Sequence, residues 1–130
     1  MDPVVHFEMA YENRQRMSDF YQKTFDWKPI HMPHMDDYVL VQTGETDDKG
    51  MIQKPGMING GFYKKPEDPK AQAPSVVIAV ENLEESQKKV TENGGIILDQ
   101  PMEIPEVGHY FSFQDTEGNR VGVLQPLPMN

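Results

Sequence analysis

Residues 4–25 read V-V-H-F-E-M-A-Y-E-N-R-Q-R-M-S-D-F-Y-Q-K-T-F, and this order of residue types indicates a strand followed by a helix. The first part alternates around His6 and Glu8 and contains β-favouring residues, which predicts a strand. Asn13 is a residue type that caps helices, so we expect a helix over residues 13–25. The apolar residues at helical spacing, which would form its buried face, are Met17, Phe20, Tyr21 and Phe25.

The same order of elements returns in the second half of the chain. Residues 64–74 are polar and contain three prolines, which is typical of a linker. After it, residues 76–80 form a continuous apolar run that predicts a strand. Asn82 and Glu85 resemble a capping box, so a second helix is predicted over residues 82–93.

Each half therefore repeats one βαβββ plan. The remaining strands are predicted at residues 38–41, 58–63, 96–98, 110–113 and 121–124, with a turn at Glu117-Gly118-Asn119 before the last one. An internal repeat of this kind predicts a single α+β domain made of two units, residues 1–63 and 75–130, joined by the linker 64–74.

Composition limits the classes of function. A chain of 130 residues has the length of one domain, and the absence of cysteine excludes disulfides, thiol nucleophiles and zinc–thiolate sites. The N-terminus has no basic segment followed by an apolar run, and no apolar stretch is long enough to span a bilayer. We therefore expect a cytoplasmic protein without membrane contact.

The charge balance points away from nucleic acids. The formal net charge is −9, whereas binding to phosphates requires clustered Lys and Arg. An acidic surface keeps a protein soluble, and it also attracts cationic ligands. The sequence therefore favours a small-molecule ligand as the partner, with no nucleic acid.

Several motifs, taken in order, resemble one known superfamily. They are the strand and helix of residues 4–25, F-D-W at 25–27, N-G-G-F at 59–62, E-I-P-E-V-G-H-Y-F-S-F-Q-D at 103–115 and D-T-E-G-N-R-V-G-V-L-Q at 115–125. Together they are similar to the vicinal oxygen chelate superfamily of glyoxalase I, bleomycin-resistance proteins and extradiol dioxygenases. The branch that they resemble is that of predicted enzymes related to lactoylglutathione lyase.

The resemblance implies a fold and an assembly. In this superfamily two βαβββ units form a half-open mixed β-sheet barrel with the helices on the outside and the active site on the concave side. Single-domain members usually pair, so the resemblance also implies a homodimer. The apolar strand faces and the nine methionines offer material for such an interface.

The resemblance also implies where a metal would bind. Metal-using members carry ligands at positions that fall here on His6, Ser75 and Gly122. Serine is a poor ligand for divalent iron, zinc or nickel and glycine has no side chain, so we expect no metal and no cofactor. One other metal site stays open. Glu8 lies on the same strand face as His6, so the two could bind a metal together with a third ligand. That third ligand would be either His109 or a residue of a partner chain.

The same correspondence predicts the ligand site. We expect a cavity that includes His6 and Glu8, with Ser75 and Gly122 on its far wall. The further lining residues are predicted to be Phe62 and Tyr110, although Phe62 also fits the core. Tyr110 and Phe111 should point to opposite faces of their strand. Glu8 is the candidate catalytic residue, either as a general base or as a counter-charge for a cationic ligand.

The two histidines at positions 31 and 34 do not require a functional explanation. His31 and His34 flank Pro33 at a spacing that could chelate a metal, but the stretch is typical of a loop or strand edge. We therefore expect them to be surface residues.

Three classes of function follow. The first is an enzyme, a glyoxalase-like lyase, isomerase or oxygenase acting on a small polar metabolite. The alternative is a non-catalytic protein that sequesters a drug or metabolite, as in bleomycin resistance. A module that serves another protein is the third. The two missing metal ligands favour a metal-free mode of action, and the identity of the ligand is not encoded in any motif.

Overall fold

The computed structural model describes residues 1–32, 35 and 37–128, with the backbone alone at 70 and 71. His34 and Pro33 therefore lie outside the described residues. Contacts between residues divide the chain into two compact units. The N-terminal unit is His6–Pro74, and the C-terminal unit is Ser75–Asn130 together with Met1–Val5.

The N-terminal unit follows the predicted strand–helix order, with one additional strand. Its elements are β1 (Val4–Tyr11), α1 (Arg14–Phe25), β2 (Lys28–His31), β3 (Val39–Gln42), β4 (Asn59–Lys64) and a short 3-10 helix (Pro69–Gln72). The strands are arranged in the order β2-β3-β4-β1. Neighbouring strands are antiparallel except for β1 and β4, which are parallel. His31 lies at the exposed end of β2.

The C-terminal unit repeats this arrangement. Its elements are β5 (Ser75–Ala79), α2 (Leu83–Glu92), β6 (Ile96–Ile97), β7 (Met102–Ile104), β8 (Gly108–Gln114) and β9 (Arg120–Pro126). The order is β5-β9-β8-β6, and β7 also pairs with β8. Strands β5 and β9 are parallel, and β8 and β9 are antiparallel. The start of the chain adds to this unit, because the amide of Ala79 donates to the carbonyl of Pro3 at 2.9 Å.

Both helices begin at the predicted caps. The Oδ1 of Asn13 accepts from the amide of Arg16 at 2.9 Å, and that of Asn82 accepts from the amide of Glu85 at 3.0 Å. Each bond satisfies one of the backbone donors that a helix N-terminus leaves without an internal partner. The two predicted helices are confirmed. They begin at Arg14 and Leu83, in each case one residue after the predicted start.

Each unit has its own core on one face of its sheet. In the N-terminal unit the core residues are Tyr11, Val39, Val41 and Phe62, with Met9, Met17, Tyr21 and Trp27 packed against them. In the C-terminal unit they are Val80, Leu83, Phe111 and Val123, with Ile78, Val90, Ile97 and Phe113. Because residues of α1 and α2 belong to these clusters, each helix covers one face of its own sheet. We call the other face of each sheet the helix-free face.

The turn between β8 and β9 is held by the carboxylate of Asp115. Its Oδ1 accepts from the amides of Glu117 and Asn119, each at 2.9 Å, and its Oδ2 accepts from the Nδ2 of Asn119 at 3.0 Å. These bonds, the one from the Asn119 side chain foremost, lower the pKa of Asp115. The D-T-E-G-N motif therefore has a structural role in this turn.

The order of elements in the two units confirms the predicted α+β class with two strand–helix–strand repeats.

Candidate functional site

His6 and Glu8 lie on the helix-free face of the N-terminal unit. The intervening residue, Phe7, lies across Gly60 and contacts Trp27 with a ring separation of 5.6 Å. Because side chains alternate along a strand, His6 and Glu8 must point away from that helix-covered side. Glu8 pairs in register with Gly61 of β4, so the carboxylate has a glycine as its neighbour on the adjacent strand.

Tyr38 occupies the space above that glycine. A Cβ added to Gly61 would collide with the phenol oxygen and ring of Tyr38. The hydroxyl of Tyr38 is 2.8 Å from the Nε2 of His6, which is a hydrogen-bond distance. His6, Glu8 and Tyr38 therefore belong to one polar group on this face, held by β1, β4 and the residue preceding β3.

The environment keeps His6 neutral. Burial lowers the pKa of the His6 imidazole to about 4, because the charged form loses hydration there. At neutral pH the ring thus has one N–H and one lone pair, and either can face the Tyr38 oxygen. A neutral imidazole in this position can orient a phenol, and it adds no positive charge for an anionic ligand.

The C-terminal unit has the same architecture with different side chains. Gly122 of β9 pairs with Ser112 of β8 and with Val77 of β5. A Cβ on Gly122 would lie 2.6 Å from the Oη of Tyr110, so this tyrosine covers its glycine as Tyr38 covers Gly61. The helix-free face of this unit therefore carries a phenol and a glycine, but an apolar residue where the other unit has a carboxylate.

Ser75 is a further polar residue of that face, which also carries Ser112, whose hydroxyl donates to Asp99 at 2.8 Å. It lies two residues before Val77 on β5, so the two side chains point the same way. The Oγ of Ser75 is buried and has no hydrogen-bond partner among the residues that the structure describes. A buried hydroxyl without a partner costs free energy, which makes Ser75 a candidate for bonding to a ligand or water.

Strand register identifies the equivalent positions of the two units. The pairs are His6 and Ser75, Glu8 and Val77, Tyr38 and Tyr110, Leu40 and Ser112, and Gly61 and Gly122. The framework pair of tyrosine and glycine is thus duplicated, whereas His6 and Glu8 have no polar equivalent beyond a serine hydroxyl.

The expectation that Phe62 lines the ligand site is wrong. Phe62 is fully buried on the helix-covered face of β4, with its ring 5.5 Å from Tyr21 and 6.5 Å from Trp27. It alternates with Gly61, so it points away from the side on which Glu8 and Tyr38 lie. The expected alternation at β8 is correct: Phe111 is fully buried in the core, and Tyr110 lies over Gly122 on the other face.

The residues at the family's ligand positions do not fit a metal. They offer one imidazole, one serine hydroxyl and a glycine, and the imidazole nitrogen Nε2 is already hydrogen-bonded to Tyr38. Within residues 1–32, 35 and 37–128 no group of three or more His, Asp or Glu side chains could hold a metal ion. His109 is exposed and alternates with Tyr110, so it points to the opposite face of β8.

Sequence patterns had not singled out Tyr38 or Gly61. The signals that could have found them are the second glycine of N-G-G-F at 59–62 and the tyrosine that begins Y-V-L-V at 38–41. A glycine inside a strand marks close approach of another group, and here that group is a phenol ring.

Comparison with known proteins identifies the family. The family model of the Glyoxalase/Bleomycin resistance protein/Dioxygenase superfamily matches residues 4–123. The chain belongs to this superfamily. No curated protein matches it in sequence.

Solved structures agree with this fold at low sequence identity. A hypothetical protein from Bacillus halodurans C-125 has a TM-score of 0.69 at 13% identity, covering 99% of this chain and 97% of its own. A methylmalonyl-CoA epimerase variant from Streptomyces coelicolor, in complex with 2-nitronate-propionyl-CoA, has a TM-score of 0.67 at 11% identity, covering 96% and 97%. The methylmalonyl-CoA epimerase from Mycobacterium tuberculosis has a TM-score of 0.64 at 11% identity, covering 96% and 88%.

In the part of the chain that the structure describes, no helix is long and apolar enough to cross a membrane.

Proposed function

We propose that this superfamily member binds a small organic carbonyl compound without a metal and moves a proton on it, as a lyase or isomerase. Glu8 acts as the general base, and His6 contributes to the ligand site. Ser75, Tyr110 and Gly122 are proposed as ligand contacts of the C-terminal unit. The observation that carries the proposal is the grouping of Glu8 with the His6–Tyr38 hydrogen bond on the helix-free face.

The proposed chemistry needs only a carboxylate and a hydrogen-bond donor. Glu8 takes a proton from the carbon next to the carbonyl group, so a C–H bond breaks and an O–H bond forms on the carboxylate. The electron pair moves to the carbonyl oxygen as an enolate. Return of the proton from Glu8 to the same face of the carbon restores the original compound. Delivery of a proton from water to the other face gives an isomer, and Glu8 then releases its proton to water.

Two of the similar structures support this reaction class. They are named as epimerases, and one of them holds a nitronate, whose negative charge is spread over oxygen as in an enolate. Their sequence identity to this chain is 11%, so they support the fold directly and the chemistry only as a proposal.

Hydrogen exchange provides the test. Chelator-treated protein is incubated in D2O with propionyl-CoA or with pyruvate, and proton NMR follows the loss of the signal next to the carbonyl group. We expect exchange by the wild-type protein and at least a 100-fold slower rate for Glu8→Gln, the scale typical of lost general-base catalysis. The matched control is Glu12→Gln, because Glu12 is exposed and paired with Lys65 at 2.9 Å.

The result separates catalysis from binding. Exchange that disappears on chelation, or a Glu8→Gln variant with the full rate, contradicts the proposal.

A second candidate function, sequestration as in bleomycin resistance, is favoured by the two tyrosines that cover Gly61 and Gly122 with aromatic surface. It predicts that a ligand raises the melting temperature by mass action while no exchange occurs.

A further inference from the structure

Asn59 adds a carboxamide to the helix-free face of the N-terminal unit. It pairs in register with His6 across β4 and β1, and it precedes Gly60, over which Phe7 lies on the helix-covered face. Because side chains alternate along a strand, the side chain of Asn59 leaves β4 on the same face as those of His6 and Glu8 leave β1. The first residue of the N-G-G-F motif therefore belongs to the polar group of this face.

Two backbone amides fix the orientation of this carboxamide. The Oδ1 of Asn59 accepts from the amide of Thr43 at 2.9 Å and from that of Gly44 at 3.3 Å. A backbone amide can only donate, so the side-chain atom that faces both of them must be the oxygen. The positions of oxygen and nitrogen in this side chain therefore follow from its partners, and the NH2 group is directed away from them.

The NH2 group of Asn59 is open to a ligand. Within the part of the chain that the structure describes, its Nδ2 makes no hydrogen bond and is not enclosed by protein. A carboxamide nitrogen carries two N–H donors, and both are thus available on this face. Because the oxygen end is already held in place, the nitrogen can bond to a ligand without reorganisation, which is the condition under which a donor stabilises developing negative charge best.

The separation of Asn59 and Glu8 suits a carbonyl compound. The register places the two residues on neighbouring strands and two positions apart, and with strands about 4.8 Å apart and a rise of about 3.3 Å per residue their Cα atoms are about 8 Å apart. A chain of contacts from a carboxylate oxygen to a carbon, through its neighbouring carbonyl group and on to a donor nitrogen also spans about 8 Å, since each of the two contacts is about 3 Å. One small ligand can therefore contact both side chains.

We propose that Asn59 is a further catalytic residue, which donates from Nδ2 to the carbonyl oxygen of the ligand while Glu8 takes the proton from the neighbouring carbon. The inference rests on the proposed function, since it names the hydrogen-bond donor that the proposed chemistry requires. It also sets the direction of the ligand, with the carbonyl oxygen at Asn59 and the carbon that loses its proton at Glu8.

The proton balance needs no reactant other than water. Glu8 takes the proton from carbon, and the electron pair of the broken C–H bond moves to the carbonyl oxygen. The N–H of Asn59 bonds to that oxygen more strongly as its negative charge grows, and it is not transferred. In D2O the carboxyl group exchanges its proton with the solvent, so return of a deuteron to carbon labels the compound.

The test removes the donor and keeps the acceptor. Asn59→Asp presents an oxygen to the amides of Thr43 and Gly44 as the asparagine does, but it has no N–H for a ligand. In the D2O assay with propionyl-CoA and pyruvate, we expect exchange to be slower by roughly 100-fold or more, the scale on which loss of one such donor lowers kcat in other enzymes. Asn82→Asp is the matched control, because it adds the same charge at a helix cap where Asp serves as well as Asn, and it should keep the wild-type rate.

The dependence on pH separates loss of the donor from the added charge. A second carboxylate would favour the protonated, inactive form of the base, and this effect disappears as the pH rises. Loss of the donor lowers the rate at every pH. We therefore expect the deficit of Asn59→Asp to persist from pH 7 to pH 9 after subtraction of the uncatalysed rate.

A second measurement follows the carboxamide itself. In nitrogen-15 NMR, the side-chain NH2 signals of Asn59 are assigned by their loss in Asn59→Asp, and they should shift when propionyl-CoA or pyruvate saturates the wild-type protein. Asn59→Ala also loses the bonds to Thr43 and Gly44, so it should lower the melting temperature, whereas Asn59→Asp should not.

Each outcome decides the inference. An Asn59→Asp variant with the wild-type rate, a deficit that disappears at pH 9, or NH2 signals that do not move on saturation overturns it and leaves the proposed function standing. Wild-type protein that exchanges neither compound overturns the proposed function, and the inference with it. If Asn59→Asp melts as early as Asn59→Ala, the NH2 signals of the wild-type protein alone decide.

Discussion

The two units share a framework and differ in the side chains that can do chemistry. Both begin with a strand, continue with an Asn-capped helix, and place a tyrosine over a glycine of the last strand of the repeat. On the first strand, however, His6 and Glu8 of the N-terminal unit correspond to Ser75 and Val77 of the C-terminal unit. The two units therefore share the tyrosine–glycine pair, whereas His6 and Glu8 are found only in the N-terminal unit and are the candidates for its proposed chemistry.

The largest expected effect tests whether the cores are equivalent. Phe62 and Phe111 are both fully buried, one in each unit. Truncation of either to Ala should lower the free energy of unfolding by about 3–5 kcal/mol, because it leaves a cavity. Chemical denaturation measures both losses. A loss below about 1 kcal/mol at Phe62 would indicate that its ring is not in the core and would restore it as a site residue.

The second prediction concerns the loss of stability at acidic pH, which should depend on His6 and not on Ser75. The pKa of folded His6 is lowered to about 4 from 6.5, so the unfolded chain binds more protons between these values. Stability should fall as the pH drops through this window, by up to about 3 kcal/mol for a shift of this size.

The contribution of His6 is isolated by comparison with a variant. Urea unfolding from pH 7 to pH 4 should give a shallower decline for His6→Gln than for the wild-type protein. Ser75→Ala should leave the wild-type slope unchanged because serine does not titrate. Parallel curves for the wild-type protein and His6→Gln would show that His6 titrates normally.

The two covered glycines should differ in their tolerance of a methyl group. In Gly61→Ala the new Cβ meets the oxygen and ring of Tyr38, which must leave its position, at a cost of about 2–3 kcal/mol. In Gly122→Ala the nearest atom is the Oη of Tyr110 at 2.6 Å, so a smaller shift suffices and about 1 kcal/mol is expected. Thermal unfolding measures the loss of stability in each variant. A larger loss for Gly122→Ala than for Gly61→Ala would contradict the assigned position of Tyr38.

The smallest losses of stability are expected from removal of the helix caps, and they should be equal in the two units. Asn13 and Asn82 cap their helices by the same side-chain bond, at 2.9 and 3.0 Å. Replacement of either by Ala should cost about 1 kcal/mol, and replacement by Ser much less. A cap that can be removed without loss would indicate that its helix begins elsewhere. Denaturant midpoints, converted with a common slope, provide the comparison.

Much of the fold could be predicted from local patterns. The Asn caps, the apolar spacing of α1 and the continuous apolar run of β5 are signals that a single segment carries, and each predicted the observed element. The expected buried face of α1 was wrong in part, because Met17 and Tyr21 pack on the core whereas Phe20 and Phe25 are exposed. Strands β2 and β7 were missed, because β2 contains Pro29 and β7 is only three residues long. A proline is tolerated at the edge of a sheet, and this position becomes visible only once the strands are assembled.

The site was less accessible to sequence patterns. His6 was predicted from the family resemblance, and Glu8 from its position two residues further along the same strand, which is a local property. Tyr38 was missed because its contact with His6 joins residues 32 positions apart in the chain. Phe62 was placed in the site although a core position was favoured for it, because its strand face is fixed only by the register of β4 with β1.

The central claim is that His6 serves a metal-free hydrogen-bonded group in the N-terminal unit. Elemental analysis of protein purified without a chelator, by plasma mass spectrometry, tests it most directly. The account predicts iron, zinc and nickel far below one equivalent per chain, and no shift of the His6 nitrogen signals when zinc is added at equimolar concentration. One equivalent of any of these metals, lost together with His6 in His6→Gln, would contradict it.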